Sequence, residues 1–289
     1  MFDHIEAFYR PSNIPEAFRL LARGAGRARI VAGGTHVAAQ ADRSIRFLVD
    51  ITRLGLDYVQ QGSKACLIGA GTTLAGLENS PAMLELADGI LARAASTSGS
   101  VQRRNMATVG GNLANASPAS DLATVLLALD ALVVVADSRG RRKIPLSDFF
   151  SEPHRTALGR ALIVEIVVPA LPRGGHVGWS FQKLGRTESD ISVVSVAAGL
   201  QVDLRGCCQW ARIALGGVGP TPLRARSAEN RLVGQQWERD VVERACDAVA
   251  REVRPITDLR ASAEYRREMS LVLARRALAE CAARGGCPL

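Results

Sequence analysis

The chain has 289 residues, 47% of them hydrophobic and 4% aromatic, which is enough apolar material to bury a full core in one large or two to three smaller domains. Its 36 basic residues against 28 acidic ones give a formal net charge of +8, but the arginines are spread along the chain, which argues against nucleic acid and for an acidic protein partner. Six scattered cysteines without a CxxC pair exclude a disulfide scaffold, no apolar run reaches the length of a membrane span, and the opening MFDHIEAFYR lacks the pattern of a secretory signal, so a cytoplasmic protein is expected.

In chain order, IPEAFRLLAR (14–23) sets Ile14, Ala17, Phe18 and Leu21 on one helical face, with Gly24 and Gly26 behind it. ARIVAGG (28–34) predicts a short buried strand running into a glycine turn, and IRFLVDIT (45–52) a second strand. ACLIGAGTTLAGLENS (65–80) restarts the pattern as strand, glycines and a helix from about Leu74. PAMLELADGILARAAST (81–97) predicts one helix, and DLATVLLALDA (121–131) another, capped by Ser120 or Asp121. LVVVADSRGRRKIPL (132–146) predicts a hairpin turning at Arg139-Gly140, and ALIVEIVVP (161–169) a strand that Pro169 ends. PRGG (172–175) is a plausible seam. Beyond it lie VGWSFQKL, ISVVSVAAGLQVDL and WARIALGGVG, then a mainly helical stretch from Glu238 with SLVLARRALAECAA (270–283) amphipathic. The expected class is α+β, in three segments: 1–57, 58–172 and 173–289.

Two glycine sites carry the chemistry. VAGGTHV (31–37) follows a strand, so its amides leave a tight turn; such a turn is either structural or a nest for a phosphate. It is neither a GxGxxG fingerprint nor a P-loop. TVGGNLANASPASD (108–121) compounds the signal: Gly110 and Gly111 allow exposed amides, Asn112, Asn115 and Ser117 offer uncharged donors, and Asp121 a carboxylate for ribose or adenine. The alternative is a polar turn closed by its own side chains. Two such turns favour a bound dinucleotide. No Ser/His/Asp set or carboxylate pair stands out, so a cofactor must supply the chemistry. His4, His154 and His176 read as solvated, and His36 offers a phosphate either its side chain or its amide.

Four blocks, IVAGGTHV (30–37), RNMATVGGNLANASPASD (104–121), FQKLGRTESDISVV (181–194) and ALGGVGPTPLRA (214–225), resemble the FAD-binding medium subunits of molybdenum hydroxylases, over nearly the whole chain. DLRASAEYRREMSLVLARRAL (258–278) is similar to the C-terminal helical signature of that family. The resemblance implies a split FAD-binding domain of two small α/β subdomains, followed by a C-terminal domain with a small antiparallel sheet and helices. It places Ala32, Gly33, Gly34, Thr35 and His36, with Thr108, Val109, Gly110, Gly111 and Asn112, on the FAD diphosphate. It further implies Asn115 facing the ligand, Asp121 at the adenosine end, the backbone of Ile163 on adenine, and Lys183 beside the isoalloxazine. Arg186 and Asp190 match a frame of the pattern. Ile191 stands where carbon monoxide dehydrogenase carries a tyrosine near the flavin face, and isoleucine cannot stack there. The implied partners are a large molybdopterin-binding subunit, a small [2Fe–2S] subunit and an external electron acceptor, with two-fold doubling of the heterotrimer as an option. The alternatives are an autonomous flavin oxidoreductase of the vanillyl-alcohol oxidase type and a flavin-free structural subunit.

Overall fold

The computed structural model describes residues 4–40, 42–172 and 174–288. The first segment holds β1 (Ala7–Tyr9), α1 (Ile14–Arg23), β2 (Ala28–Val31), α2 (Thr35–Gln40) and β3 (Phe47–Asp50), with the strands parallel in the order β1-β3-β2. Helix α1 starts where Asn13 accepts the Glu16 N–H at 2.9 Å, and the Glu16 carboxylate accepts from the Ser12 N–H at 2.8 Å. The Asn13 cap satisfies one of the donors a helix start leaves open, and the Glu16 carboxylate folds back to fix the residue before the cap. Strand β1 was not expected from the sequence; its three residues are half-buried or exposed and carry no alternation to read.

The second segment runs through β4 (Val59–Gln61), β5 (Ala65–Gly69), α3 (Leu74–Glu78), α4 (Pro81–Glu85), α5 (Ile90–Ser96), α6 (Val101–Arg104), α7 (Val109–Asn115) and α8 (Asp121–Ala128). It closes with β6 (Leu132–Asp137), β7 (Gly140–Pro145), β8 (Phe150–Glu152), β9 (Arg155–Thr156) and β10 (Leu162–Pro169). Five of these strands form an antiparallel sheet in the order β4-β5-β10-β6-β7, and β8 and β9 make a small hairpin. The helix expected over 81–97 is broken: Ala87, Asp88 and Gly89 take left-handed φ values of 52°, 55° and 74°. The break aims Asp88 at the next segment, where its Oδ2 accepts the Trp179 N–H at 2.8 Å. The 108–121 stretch is likewise no simple turn, since half of it is α7.

The third segment places β11 (His176–Leu184), β12 (Val194–Val202), β13 (Cys208–Gly216) and β14 (Leu223–Arg224) in one antiparallel sheet. Helices α9 (Arg226–Leu232), α10 (Arg239–Glu252) and α11 (Ala263–Arg284) follow. Helix α11 begins a full two turns before the expected 270, because Ser262 caps it by accepting the Tyr265 N–H. Of the expected seam, Arg173 lies outside the described residues.

Alternation in the strands decides how the layers stack. On the five-stranded sheet, Val133, Val135, Ile166 and Val168 face the helices, while Val134, Ala136, Val164 and Val167 face Ile51 and Leu56 of the first segment. Ile163 joins the helix side despite its odd number, because the β10 register slips between Ile163 and Glu165. The helices share their core with Trp179, Phe181, Ala197 and Ala214 of the third sheet, whose opposite face carries α9 to α11. All eight residues of α8 are therefore buried, which is what a helix between two sheets requires.

Candidate functional site in the cleft between the first two sheets

The 32–36 loop leaves β2 and starts α2. A Cβ on Gly33 would stand 1.6 Å from the Met106 carbonyl oxygen, so only glycine lets this loop touch the approach to α7. Among the described residues, no loop or turn carbonyl takes the N–H groups of Gly33 to Val37. These donors remain open to a ligand.

The second glycine pair is built differently, and the expectation of exposed amides there is corrected. The Val109 N–H donates to Thr72 O, and the Gly110 N–H to Ala70 O, each at 2.9 Å. The Gly111 N–H donates to Thr108 Oγ1 at 3.1 Å and the Asn112 N–H to Thr108 O at 2.9 Å. Thr108 is thus an N-cap, and the segment's backbone donors are taken up by the protein itself. Gly110 is buried because a Cβ would lie 2.7 Å from Ala70; Gly111 is exposed. What α7 offers a ligand is side chains. The Asn112 Oδ1 accepts from Ser120 Oγ at 2.6 Å, which leaves its Nδ2 as donor. The Asn115 Oδ1 is buried with no hydrogen-bond partner, an acceptor waiting for a hydroxyl or amide.

Charge completes the cleft. The His36 imidazole is held below its ordinary pKa by burial first, then by electrostatic repulsion from the neighbouring His154, Arg103 and Arg29. A half-buried loop on which every acting charge is positive suits an anion. The free glycine-loop amides, the cationic surroundings and the orphaned Asn115 acceptor fit a diphosphate joined to a polyhydroxyl chain.

Residues 2–171 match the family described as the FAD binding domain in molybdopterin dehydrogenase, and residues 179–281 the CO dehydrogenase flavoprotein C-terminal domain. The chain belongs to the FAD-binding medium subunits of the molybdenum hydroxylases. It is 35% identical to the 6-hydroxypseudooxynicotine dehydrogenase complex subunit alpha of Paenarthrobacter nicotinovorans, covering 96% of this chain and 94% of that one. The solved carbon monoxide dehydrogenase of Hydrogenophaga pseudoflava superposes with a TM-score of 0.90 at 32% identity, over 97% of this chain and 98% of that one. Quinoline 2-oxidoreductase from Pseudomonas putida 86 gives 0.88 at 26% identity, over 96% of this chain and 97% of that one.

Within this medium-subunit fold, two residues expected at opposite ends of the ligand are found together. Lys183 Nζ lies 2.9 Å from Asp121 Oδ2 and also donates to Thr97 O at 2.7 Å, while Ser192 Oγ donates to Asp121 Oδ1 at 2.5 Å. Both side chains are under a tenth exposed. A pair in contact cannot serve both the adenosine and the isoalloxazine end of an extended dinucleotide, so the separate placements of Asp121 and Lys183 are corrected to one place. Burial pushes the Asp121 carboxyl up, against the opposing pull of Lys183 and Ser192. The pair connects to the glycine segment through Ser120, which caps α8 and bonds Asn112.

Ile163 is 4% exposed and packs in the core, so its side chain is withheld from any ligand. Ile191 is 65% exposed on the β11–β12 loop, next to the Ser192 that holds Asp121. Arg186 and Asp190 pair with each other at 3.4 Å on the same loop. The sequence reading takes His154 as solvated, and it is exposed on its turn; Arg103, Arg29 and Ser192 are passed over. The arginines act on His36 from α6 and β2, and Ser192 is buried against Asp121; nothing local in the sequence marks any of the three.

Proposed function

We propose that this chain binds FAD non-covalently, with the diphosphate between the 32–36 loop and α7, and serves as the electron-exit subunit of a heteromeric molybdenum hydroxylase. The partners in this reading are a large molybdopterin-binding subunit and a small [2Fe–2S] subunit, and an external acceptor takes the electrons. When bound, FAD supplies the redox chemistry of accepting and releasing electrons. The chain itself contributes the loop amides of Gly33 to His36, the Nδ2 of Asn112 and the Oδ1 of Asn115 as contacts, and the Asp121–Lys183 pair as a fixed charge couple at the join of the domains.

The observation that carries this reading is the all-positive setting of His36 on a loop with open amides, inside a fold shared along almost its whole length with flavin subunits. The naming of one relative as a subunit of a dehydrogenase complex supports the heteromeric assembly. The segment limits of 1–57, 58–172 and 173–289 are part of the same proposal. The expected outcome is an absorption spectrum of the purified chain with bound flavin that denaturation releases, and recovery of the two partners on co-purification with the products of neighbouring genes. A colourless chain that takes up no FAD, or a free monomer that oxidises a small substrate at ~1 s⁻¹ or faster, replaces this reading with one of its rivals.

A further inference from the structure

We propose that His154, on the turn between β8 and β9, is a second-subdomain ligand of the diphosphate, set across the cleft from His36 and engaging the phosphate only as the imidazolium. The inference rests on the flavin reading above and adds a residue to it. His154 is held in place with unusual care for a hairpin turn. Its φ is +59°, a conformation that costs a non-glycine residue, and such outliers persist where surrounding structure over-determines them. Two bonds do so here: the His154 N–H donates to Ala116 O at 3.0 Å, and its Nδ1 lies 3.0 Å from Asn115 O. Asn115 ends α7, and Ala116 is its left-handed C-cap with φ 48°. The turn is thereby fixed to the helix that carries Asn112 and the orphaned Asn115 Oδ1.

The bond to Asn115 O also sets the tautomer. A carbonyl only accepts, so Nδ1 carries the hydrogen, and in the neutral ring Nε2 is a bare lone pair. A phosphate presents only acceptors, so neutral His154 has nothing to offer it, whereas the protonated ring presents an Nε2–H. The groups facing His36 are His154 from the β8–β9 turn, Arg103 from α6 and Arg29 from β2. Arg29 is partly offset by Asp42 at 3.6 Å; among the described residues no carboxylate pairs with Arg103. Without an anion Arg103 and Arg29 oppose protonation of His36, and on the hairpin that carries His154 the flanking Glu152 and Arg155 are paired with each other at 3.1 Å. A diphosphate reverses that balance, so binding takes up protons and tightens as pH falls through the imidazole range.

The test is isothermal titration of the flavin-stripped full chain with FAD at pH 6, 7 and 8, in two buffers of different ionisation heat. The expected result is net proton uptake on binding and a Kd about tenfold lower at pH 6 than at pH 8. His154→Asn keeps a residue suited to the left-handed turn; it is expected to lower the uptake and flatten the profile. His154→Lys, a cation at every pH used, is expected to restore affinity at pH 8 without restoring the slope. FAD binding with no proton uptake, or an unchanged profile in a folded His154→Asn protein, overturns the role of His154 and leaves the flavin reading standing. A chain that takes no FAD at any pH overturns both.

Discussion

Arg266 shows how much a single side chain holds here. It is 1% exposed and donates to Val193 O at 2.6 Å, Gly217 O at 3.0 Å and Asp258 Oδ1 at 2.6 Å, joining α11 to the edges of the third sheet. Arg260 chiefly, then Arg266, holds the Asp258 carboxyl well below the usual carboxylate range. A depressed carboxylate stabilises the fold above its unfolded pKa of about 4 and loses that contribution as pH falls below it. Asp258→Asn is expected to cost roughly 2–4 kcal/mol at neutral pH, less than a fully buried pair because the carboxylate is partly open to water, and to flatten the acid limb of stability against pH in urea unfolding. The glycines separate in the same way. Gly110→Val drives atoms into Ala70 and is expected to destabilise by about 1–3 kcal/mol, read as a fall in Tm whether or not FAD is present. Gly111→Ala meets only the Thr108 hydroxyl, at 3.0 Å, and is expected to leave Tm nearly unchanged while weakening FAD binding. The sequence marked both glycines, but it could not say that one serves packing, because Ala70 is forty residues away.

At the scale of elements, local patterns carried most of the reading. Helix α1 over 14–23, the hairpin at Arg139-Gly140, the strand ended by Pro169 and the long strands beyond 176 all lie where residue type and period put them. Helix α7 did not, because two glycines cost about 1 kcal/mol each in a helix and TVGG therefore reads as a turn. What keeps it helical is Thr108 at the N-cap, with Val109 and Leu113 both fully buried one turn apart. Thr108→Ala is expected to destabilise by about 1 kcal/mol, and amide exchange should show protection lost first at Gly111 and Asn112. The break in 81–97 was hidden for the opposite reason. The apolar period runs straight through Leu86 to Gly89, and only the distant Trp179 N–H explains why Asp88 turns away.

For the whole molecule, the decisive feature is that the second and third segments share one core. The helices over the five-stranded sheet need Trp179, Phe181, Ala197 and Ala214 to exclude water, and Arg224 ties Leu127 O, at 3.1 Å, and Asp130 to the third sheet. Residues 1–172 expressed alone are expected to expose that core, binding a hydrophobic dye and aggregating, whereas the full chain unfolds in one transition followed by tryptophan fluorescence. None of this stacking was legible in the sequence, since sheet order and the partner of each buried face are set by contacts a hundred residues apart. The join between these segments also limits what can be exchanged between relatives. Asp121 belongs to the second segment and Lys183 to the third, and where they meet both side chains are under a tenth exposed. A chimera that takes its front from one relative and its back from another inherits a buried charge with no counterpart unless both donors kept their half. The pair therefore acts as a compatibility key: grafted C-terminal domains lacking a cation at this point should be rejected at folding, before any question of flavin arises.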